Sequence, residues 1–210
     1  MGKEQQAKYY DEIYSVSKSY TGSYRVSHYL PTWALVMQLL DKHAPFKEPR
    51  LLDIGCGTGQ FAEFLVEHKE INYTGLDFSK EAINLAQERD YSKIKGIKPP
   101  LFIHTDINEQ FVWDEKFDAY TIMETLEHIE NDTEIVSRIP EGAFVIITVP
   151  TFDDEGHVRF FKTKEEVLKR YGPYLGCEIS GNRKVVEMVR SWFIIYGYRN
   201  STPASIKVTL

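Results

Sequence analysis

The sequence predicts an α/β fold in which a mostly parallel sheet is packed between layers of helices. Short apolar runs recur along the chain, and their near-continuous apolar character is typical of strands that are buried on both faces. Segments in which apolar residues follow helical spacing alternate with these runs. Because parallel strands are joined through crossover helices, this alternation indicates a doubly wound sheet.

Each predicted element has its own sequence signal. The central strands are "RLLDI" (50–54), "INYTGLD" (71–77), "LFIHTD" (101–106), "FDAYTIM" (117–123) and "AFVIITV" (143–149). The first is followed by the helical "QFAEFLVEH", and Ser79 is placed to cap the helical "KEAINLAQER". Thr163 and Glu166 have the spacing of a capping box in a helix that Gly172 ends. The runs "RKVVEMV" and "WFIIYGY" are too close together for a crossover, so they are predicted to pair antiparallel.

The first 45 residues differ in composition and are predicted to be an N-terminal helical extension. Pro31 suits the first turn of a helix in "PTWALVMQLLDKH". Six tyrosines are crowded into this segment: Tyr9, Tyr10, Tyr14, Tyr20, Tyr24 and Tyr29. Two interpretations stay open, a helix that covers one sheet edge and an aromatic lid over a site. Residues 46–210 would then form one main domain.

The bulk composition narrows the classes of protein. A chain of 210 residues, 42% hydrophobic and 27% charged, fits one globular domain. The net charge of −6 makes nucleic acid an unlikely partner, because phosphate backbones attract basic surfaces. The polar start "MGKEQQAKYYDE" has no apolar signal segment, and two cysteines form no disulfide framework. We expect a cytoplasmic protein without a membrane span.

The glycine-rich stretch "LLDIGCGTGQ" lies where a ligand loop is expected, between a strand and a helix. Gly55, Gly57 and Gly59 permit a tight turn and close approach of backbone to a ligand. Gln60 stands where the dinucleotide fingerprint needs a small residue, which disfavours a nicotinamide oxidoreductase. Asp77 ends the next strand, and one carboxylate there can accept hydrogen bonds from two ribose hydroxyls. The plain alternative is that the glycines serve only a turn.

Together these segments resemble the class I S-adenosylmethionine-dependent methyltransferases. The resemblance covers about residues 50–150 and rests on "LLDIGCGTG", "GLDFS", "HTDI" and "METLEHI", which follow in the order of that family. It implies a seven-stranded sheet of order 3-2-1-4-5-7-6 with an antiparallel last strand. It also implies S-adenosylmethionine as cofactor and a small-molecule methyl acceptor as partner.

The resemblance further implies a role for each matched residue. The loop from Gly55 through Cys56 to Gly59 would lie under the methionine part of the cofactor, with Asp53 near its amino group. Asp77 would hold the ribose hydroxyls. The remaining cofactor-binding residues would be Phe78 against the adenine, Asp106 at the adenine amino group, Ile107 beside it and Glu124 near the sulfonium.

The stretch "METLEHIEN" has three interpretations that the sequence leaves open. Glu127 and His128 can be a catalytic pair, in which His128 is the general base. They can be structural residues beside a cofactor-binding Glu124. Alternatively, a divalent cation can bind here, since residues at i, i+3 and i+4 share one face of a helix. His157 in "FDDEGHVRFF" is then the available fourth ligand.

The E-x-x-E-H pattern of this chain, with a later histidine, resembles the pattern of two methyltransferase groups. These are the ubiquinone-pathway O-methyltransferases and the metal-dependent small-RNA 2′-O-methyltransferases. The latter carry a longer histidine-containing segment downstream, where this chain offers only His157. We therefore predict no resident metal, with Glu124, Glu127, His128 and His157 as candidate ligands. Arg159 is expected to pair with an acidic group of the substrate or to lie on the surface.

The predicted function is methyl transfer to an oxygen or nitrogen of a small molecule. One alternative is a divalent-metal-assisted O-methyltransferase of a vicinal diol or catechol, RNA ends included. The other is a cofactor-binding subunit without activity of its own, which the complete glycine loop and Asp77 argue against.

Overall fold

The computed structural model describes residues 2–44, 47–92, 98–109, 113, 115–175, 186–189 and 191–200. The chain forms two compact units, Gln5–Thr121 and a second that joins Met1–Glu4 to Ile122–Leu210. The N-terminal helices and the glycine loop therefore belong to one unit. The predicted division into residues 1–45 and 46–210 stays a prediction.

The unit Gln5–Thr121 contains four helices before its first strand, as predicted for the extension. In chain order its elements are α1 (Ala7–Val16), α2 (Lys18–Thr21), a 3-10 helix (Tyr24–Val26), α3 (Leu30–His43), β1 (Arg50–Ile54), α4 (Gln60–His68), β2 (Asn72–Asp77), α5 (Lys80–Gln87) and β3 (Leu101–His104). Strand β2 pairs parallel with both β1 and β3. The predicted cap of α5 is confirmed, because the Ser79 hydroxyl accepts from the amide of Ala82.

The second unit contains the late strands. Strand β4 (Ala119–Met123) runs across the boundary and is followed by a 3-10 helix (Leu126–His128), α6 (Asp132–Arg138), β5 (Phe144–Pro150), α7 (Lys164–Tyr171), a 3-10 helix (Gly172–Tyr174), β6 (Val186–Val189) and β7 (Trp192–Tyr198). The capping box of Thr163 and Glu166 at the start of α7 is confirmed. Strand β7 pairs antiparallel with β5 and β6, also as predicted. Residues 183–185 of the predicted β6 run, and Cys177, lie outside the described residues.

Among the described residues, the strand order is β3-β2-β1-β4-β5-β7-β6. The α/β class, with a mostly parallel sheet and an antiparallel last strand, is confirmed. The doubly wound arrangement of the helices stays a prediction.

Burial explains why the apolar runs become strands. All seven residues of β5 are buried, as expected for a strand that is covered on both faces. In β1, the four residues from Leu51 to Ile54 are buried as well. Within the described part of the chain, none of the helices has the length and apolar character that a membrane crossing requires.

Candidate functional site

The glycine loop between β1 and α4 has the backbone conformation that glycines allow. Gly55, Gly57 and Gly59 have φ angles of 76°, 53° and 75°, in the left-handed region that side chains with a Cβ rarely adopt. The amides of Gly55 and Cys56 donate to the carbonyl of Leu76, at 2.8 and 2.9 Å. The loop is thereby fixed against the end of β2.

Asp77 connects the glycine loop to the start of α5. Its two carboxylate oxygens accept one backbone hydrogen bond each, from the amides of Gly57 and Ser79, both at 2.9 Å. Burial raises the pKa of Asp77 to about 6, although the two amide bonds favour its charged form. Each carboxylate oxygen has a second lone pair, so Asp77 can accept further hydrogen bonds from two hydroxyls of a ligand.

Asp53 occupies the core of the same unit. Its oxygens accept hydrogen bonds from the hydroxyls of Tyr73 at 2.5 Å and Thr121 at 2.7 Å. Burial raises the pKa of Asp53 to about 6. The structure thus shows a positioning role within the sheet, and the contact of Asp53 with a ligand amino group stays a prediction.

This carboxyl gives a pH-dependent prediction. The folded protein holds the Asp53 proton more tightly than the unfolded chain, so this group's stability contribution is full below pH 4. This contribution decreases as the pH rises to about 6. The decrease is at most about 3 kcal/mol, because the pKa of Asp53 rises from 3.8 to about 6 on folding. Asp53→Asn cannot ionise. Urea unfolding should therefore show its free energy of unfolding, relative to wild type, increasing from pH 4 to pH 7. A constant difference between the two proteins would contradict the prediction.

The other predicted cofactor residues have varied surroundings. The Cys56 side chain packs over Gly75, where an added Cβ would come within 2.8 Å of its sulfur. Phe78 is half-buried, with its ring centroid 5.2 Å from that of Tyr10. Asp106 is exposed and accepts from both nitrogens of Asn108, at 2.8 and 2.9 Å. Ile107 is half-buried beside it. Their contacts with a cofactor stay predictions.

Helix α1 packs over this loop, and three of its residues contact the groups just described. Asp11 accepts from the Ser79 hydroxyl at 2.6 Å and from the Glu81 amide at 3.1 Å. The Tyr14 hydroxyl lies 3.4 Å from where a Cβ on Gly57 would stand. With Tyr10 on Phe78, these residues follow i, i+1, i+4 spacing on one face of α1. That spacing was the available signal, although Asp11 was not among the site residues predicted from the sequence.

The segment after α1 is held by side chains of the glycine loop. The Gln60 amide donates to the carbonyls of Ser19 and Gly22, at 3.1 and 2.9 Å, and Thr58 donates to that of Tyr20. Arg89 donates to Thr58 and Gly22 carbonyls and pairs with Glu63 at 2.6 Å. Gln60, which breaks the dinucleotide fingerprint, thus secures the N-terminal segment.

A second polar group lies in the other unit, after β4 and β5. Glu127, His128 and His157 each offer one ligand atom, and these atoms lie within 4.8 Å of one another. His128 Nε2 lies 4.0 Å from a Glu127 carboxylate oxygen. The two imidazole ring centroids are 5.0 Å apart. The structure therefore brings together three of the four residues that the sequence proposed as ligands.

Both histidines have their Nδ1 atoms facing a backbone carbonyl. His128 Nδ1 lies 2.9 Å from the Gly156 oxygen, and His157 Nδ1 lies 3.2 Å from the Phe152 oxygen. Because a carbonyl only accepts, Nδ1 carries the hydrogen in each ring and the lone pair is on Nε2. Burial lowers the pKa of His128 to about 4, so its imidazole is neutral at physiological pH.

Glu127 is fully buried, and within the described residues neither of its carboxylate oxygens has a hydrogen-bond partner. Burial, and then the nearby Glu124, raise its pKa well above the ordinary range. An unpaired buried carboxylate is costly, so a ligand or a proton must compensate it. Among the described residues of this unit, Glu127 is thus the polar group that most requires a partner.

Glu124 is not one of the three grouped residues. Its carboxylate accepts from the Thr148 hydroxyl at 2.8 Å, and that hydroxyl accepts from the Glu124 amide at 3.0 Å. Among the described non-glycine residues, Glu124 is the one with a positive φ, at 49°. This conformation marks a strained turn directly after β4. Burial raises the pKa of Glu124 to about 8.

The expectation that Arg159 lies on the surface is wrong. Its side chain is only 14% exposed, and its guanidinium donates to the carbonyls of Leu126, Ile129 and Glu130. Arg159 therefore binds the protein's own backbone, and its pairing with an acidic group of the substrate stays a prediction.

Comparison with known proteins identifies relatives. Residues 51–141 match the family model described as "Methyltransferase domain". The ubiquinone biosynthesis O-methyltransferase of Photobacterium profundum is 32% identical over 123 residues, 58% of this chain and 46% of that protein. The PH0226 protein of Pyrococcus horikoshii superposes with a TM-score of 0.65 at 20% identity, covering 90% of this chain and 98% of that one. The magnesium protoporphyrin IX methyltransferase of Synechocystis, solved with bound SAM, gives 0.60 at 18% identity, covering 81% and 79%.

These similarities differ in what they establish. At 18–20% identity the two structures show the fold alone. The chain spans about half the length of the curated relatives it matches.

Proposed function

We propose that this chain, whose residues 51–141 match the methyltransferase-domain family model, transfers a methyl group from S-adenosylmethionine to an oxygen or nitrogen of a small-molecule acceptor. The observation that carries the proposal is the junction of Asp77 with the Gly57 loop. It presents a carboxylate with unused lone pairs beside a glycine turn. This suits a ligand whose ribose binds the carboxylate while another part approaches the loop backbone closely.

The relatives support this choice of cofactor and acceptor class. The Synechocystis methyltransferase was solved with SAM, and the Photobacterium protein is named as an O-methyltransferase of ubiquinone biosynthesis. The acidic net charge of −6 agrees with a small acceptor, because nucleic acid favours basic surfaces. The identity of the acceptor, and the choice between oxygen and nitrogen, are part of the proposal.

Methyl transfer needs alignment of the acceptor and, for a hydroxyl, removal of a proton. His128 is the first candidate for this step, because its lone pair is on Nε2, 4.0 Å from Glu127. Its pKa of about 4 makes it a weak base, however, since the ideal base has a pKa near the operating pH.

A specific observation favours a second candidate, a divalent-cation-assisted O-methyltransferase. Within the described residues the Glu127 carboxylate has no hydrogen-bond partner, and Glu127, His128 and His157 each offer one ligand atom within 4.8 Å of the others. In metal sites, histidine typically donates its other ring N–H to a carbonyl or carboxylate, as both histidines do here. These residues would hold magnesium or manganese, which as a Lewis acid makes an acceptor hydroxyl more acidic.

The test of the general proposal is turnover by the isolated chain. The chain is incubated with methyl-labelled S-adenosylmethionine and a panel of catechols, diols and amines, and labelled product is measured. Binding of S-adenosylhomocysteine without product for any acceptor class would favour a non-catalytic cofactor-binding subunit. Tight binding of NAD in place of S-adenosylhomocysteine would contradict S-adenosylmethionine as the cofactor.

If helix α1 is a lid, weakening its contact with α5 should release the cofactor product faster. Asp11→Ala removes the hydrogen bonds to Ser79 and Glu81. At about 1.5 kcal/mol for bonds to a charged acceptor, S-adenosylhomocysteine should dissociate about tenfold faster in stopped-flow measurements. Glu12→Ala is the matched control, because Glu12 is exposed on the same helix. Equal rates for Asp11→Ala and wild type would show that α1 is not a lid.

A further inference from the structure

We infer that Arg159 is a positioning residue that fixes the loop of Glu127 and His128 against the loop of His157. The inference rests on the proposed use of these three residues in methyl transfer. Arg159 lies two residues after His157, in the loop that follows β5. Its guanidinium reaches three carbonyls of the loop that follows β4, those of Leu126, Ile129 and Glu130.

The position of these carbonyls gives the contact its consequence. Leu126 begins the single 3-10 turn that carries Glu127 and His128, and Ile129 follows it directly. A three-residue turn has few internal hydrogen bonds, so its orientation depends on external donors. The planar guanidinium provides several N–H donors in a rigid fork and can bind carbonyls on both sides of the turn.

Two further hydrogen bonds join the same loops. The Val158 amide donates to the Glu127 carbonyl at 2.8 Å, and His128 Nδ1 donates to the Gly156 carbonyl at 2.9 Å. Both lie within three residues of Arg159 in sequence. The three contacts together set the separation of the imidazoles and the carboxylate.

Arg159 is itself held by a buried acid. Asp132 has no exposed surface, and its carboxylate lies 3.3 Å from a guanidinium nitrogen of Arg159. Arg170 donates to both Asp132 oxygens, at 2.7 and 2.6 Å, and the Tyr171 hydroxyl donates at 2.7 Å. A buried charge held by so many donors has a defined geometry, and that geometry passes to Arg159.

The chain contains a matched control for Arg159. Arg199, in the same unit, is also buried and donates to the backbone carbonyls of Val136, Ser137 and Asn200. Arg199→Gln therefore removes an equivalent guanidinium–carbonyl contact without touching either loop of the Glu127 group.

The test compares Arg159→Gln and Arg199→Gln by two measurements. Long-range ¹H–¹⁵N spectra of the imidazoles report the tautomer without requiring activity. Wild type and Arg199→Gln should show Nδ1–H in His128 and His157, whereas Arg159→Gln should show mixed tautomers. Its kcat should fall about 10- to 100-fold, with the affinity for S-adenosylhomocysteine unchanged.

Unaltered histidine spectra in Arg159→Gln would overturn the inference, even if wild type shows no turnover and the proposed function fails. If Arg159→Gln does not fold, Arg170→Gln replaces it, because Arg170 supports Asp132 from a partly exposed position. It should then shift the same two tautomers to a smaller degree. Wild-type spectra in Arg170→Gln would equally contradict the inference.

Discussion

Asp77→Ala should reduce the affinity for S-adenosylhomocysteine at least tenfold. The substitution removes the acceptor proposed for the ribose hydroxyls, and hydrogen bonds to a charged group contribute roughly 1.5–3 kcal/mol. It also releases the amides of Gly57 and Ser79, which both donate to this carboxylate. Loss of the ligand contact and loosening of the loop act in the same direction. Calorimetric titration measures the affinity, and thermal unfolding of the same samples reports whether the fold is retained.

Two variants separate the causes of this effect. Asp77→Asn keeps one carbonyl oxygen as an acceptor and should lose less affinity than Asp77→Ala. Asp41→Ala removes an acid of the same unit that is exposed and pairs with Lys69, so its affinity should equal that of wild type. If Asp77→Ala binds S-adenosylhomocysteine as tightly as wild type, Asp77 is not the ribose acceptor and the cofactor assignment loses its main support.

The glycine loop and the start of α7 were predictable because their signals are local. Gly55, Gly57 and Gly59 mark a turn that needs positive φ, and Thr163 and Glu166 mark a cap through their three-residue spacing. Each signal depends on a few neighbouring residues, so a single sequence contains it. The strands were predictable for a similar reason, since their apolar runs reflect burial on both faces.

The contacts that the sequence did not reveal join residues far apart in the chain. Asp11 and Ser79 are 68 residues apart, and Asp132 and Arg170 are 38 apart. Surface and buried arginines can have similar neighbouring residues in the sequence. The sequence therefore could not show that Arg159 binds backbone carbonyls. Likewise, nothing local indicated that Glu124 would bond Thr148 while Glu127 has no hydrogen-bond partner among the described residues.

The second large effect concerns the group of Glu127, His128 and His157. If a divalent cation binds there, a chelator should abolish methyl transfer, and magnesium or manganese should restore it. Glu127→Gln keeps the shape of the side chain but removes its charge. Since Glu127 is the one acid of the group, this variant should lose manganese binding, which electron paramagnetic resonance measures without any turnover. His68→Ala is the control. His68 Nδ1 also lies close to a backbone carbonyl, 2.8 Å from the Phe64 oxygen, but His68 belongs to the other unit.

The same experiment assigns the histidine if no cation is needed. With activity insensitive to the chelator, the cation candidate is excluded and His128→Ala becomes decisive. A general base contributes roughly 10²–10⁴ in rate, so this variant should then lose turnover by that factor while S-adenosylhomocysteine binding stays intact. Full activity in His128→Ala, with only a lower melting temperature, would assign Glu127 and His128 to structure. In contrast to the sequence-based prediction of no resident metal, we expect the chelator to abolish activity. Two histidines oriented through their Nδ1 atoms face a buried carboxylate whose oxygens have no partner among the described residues.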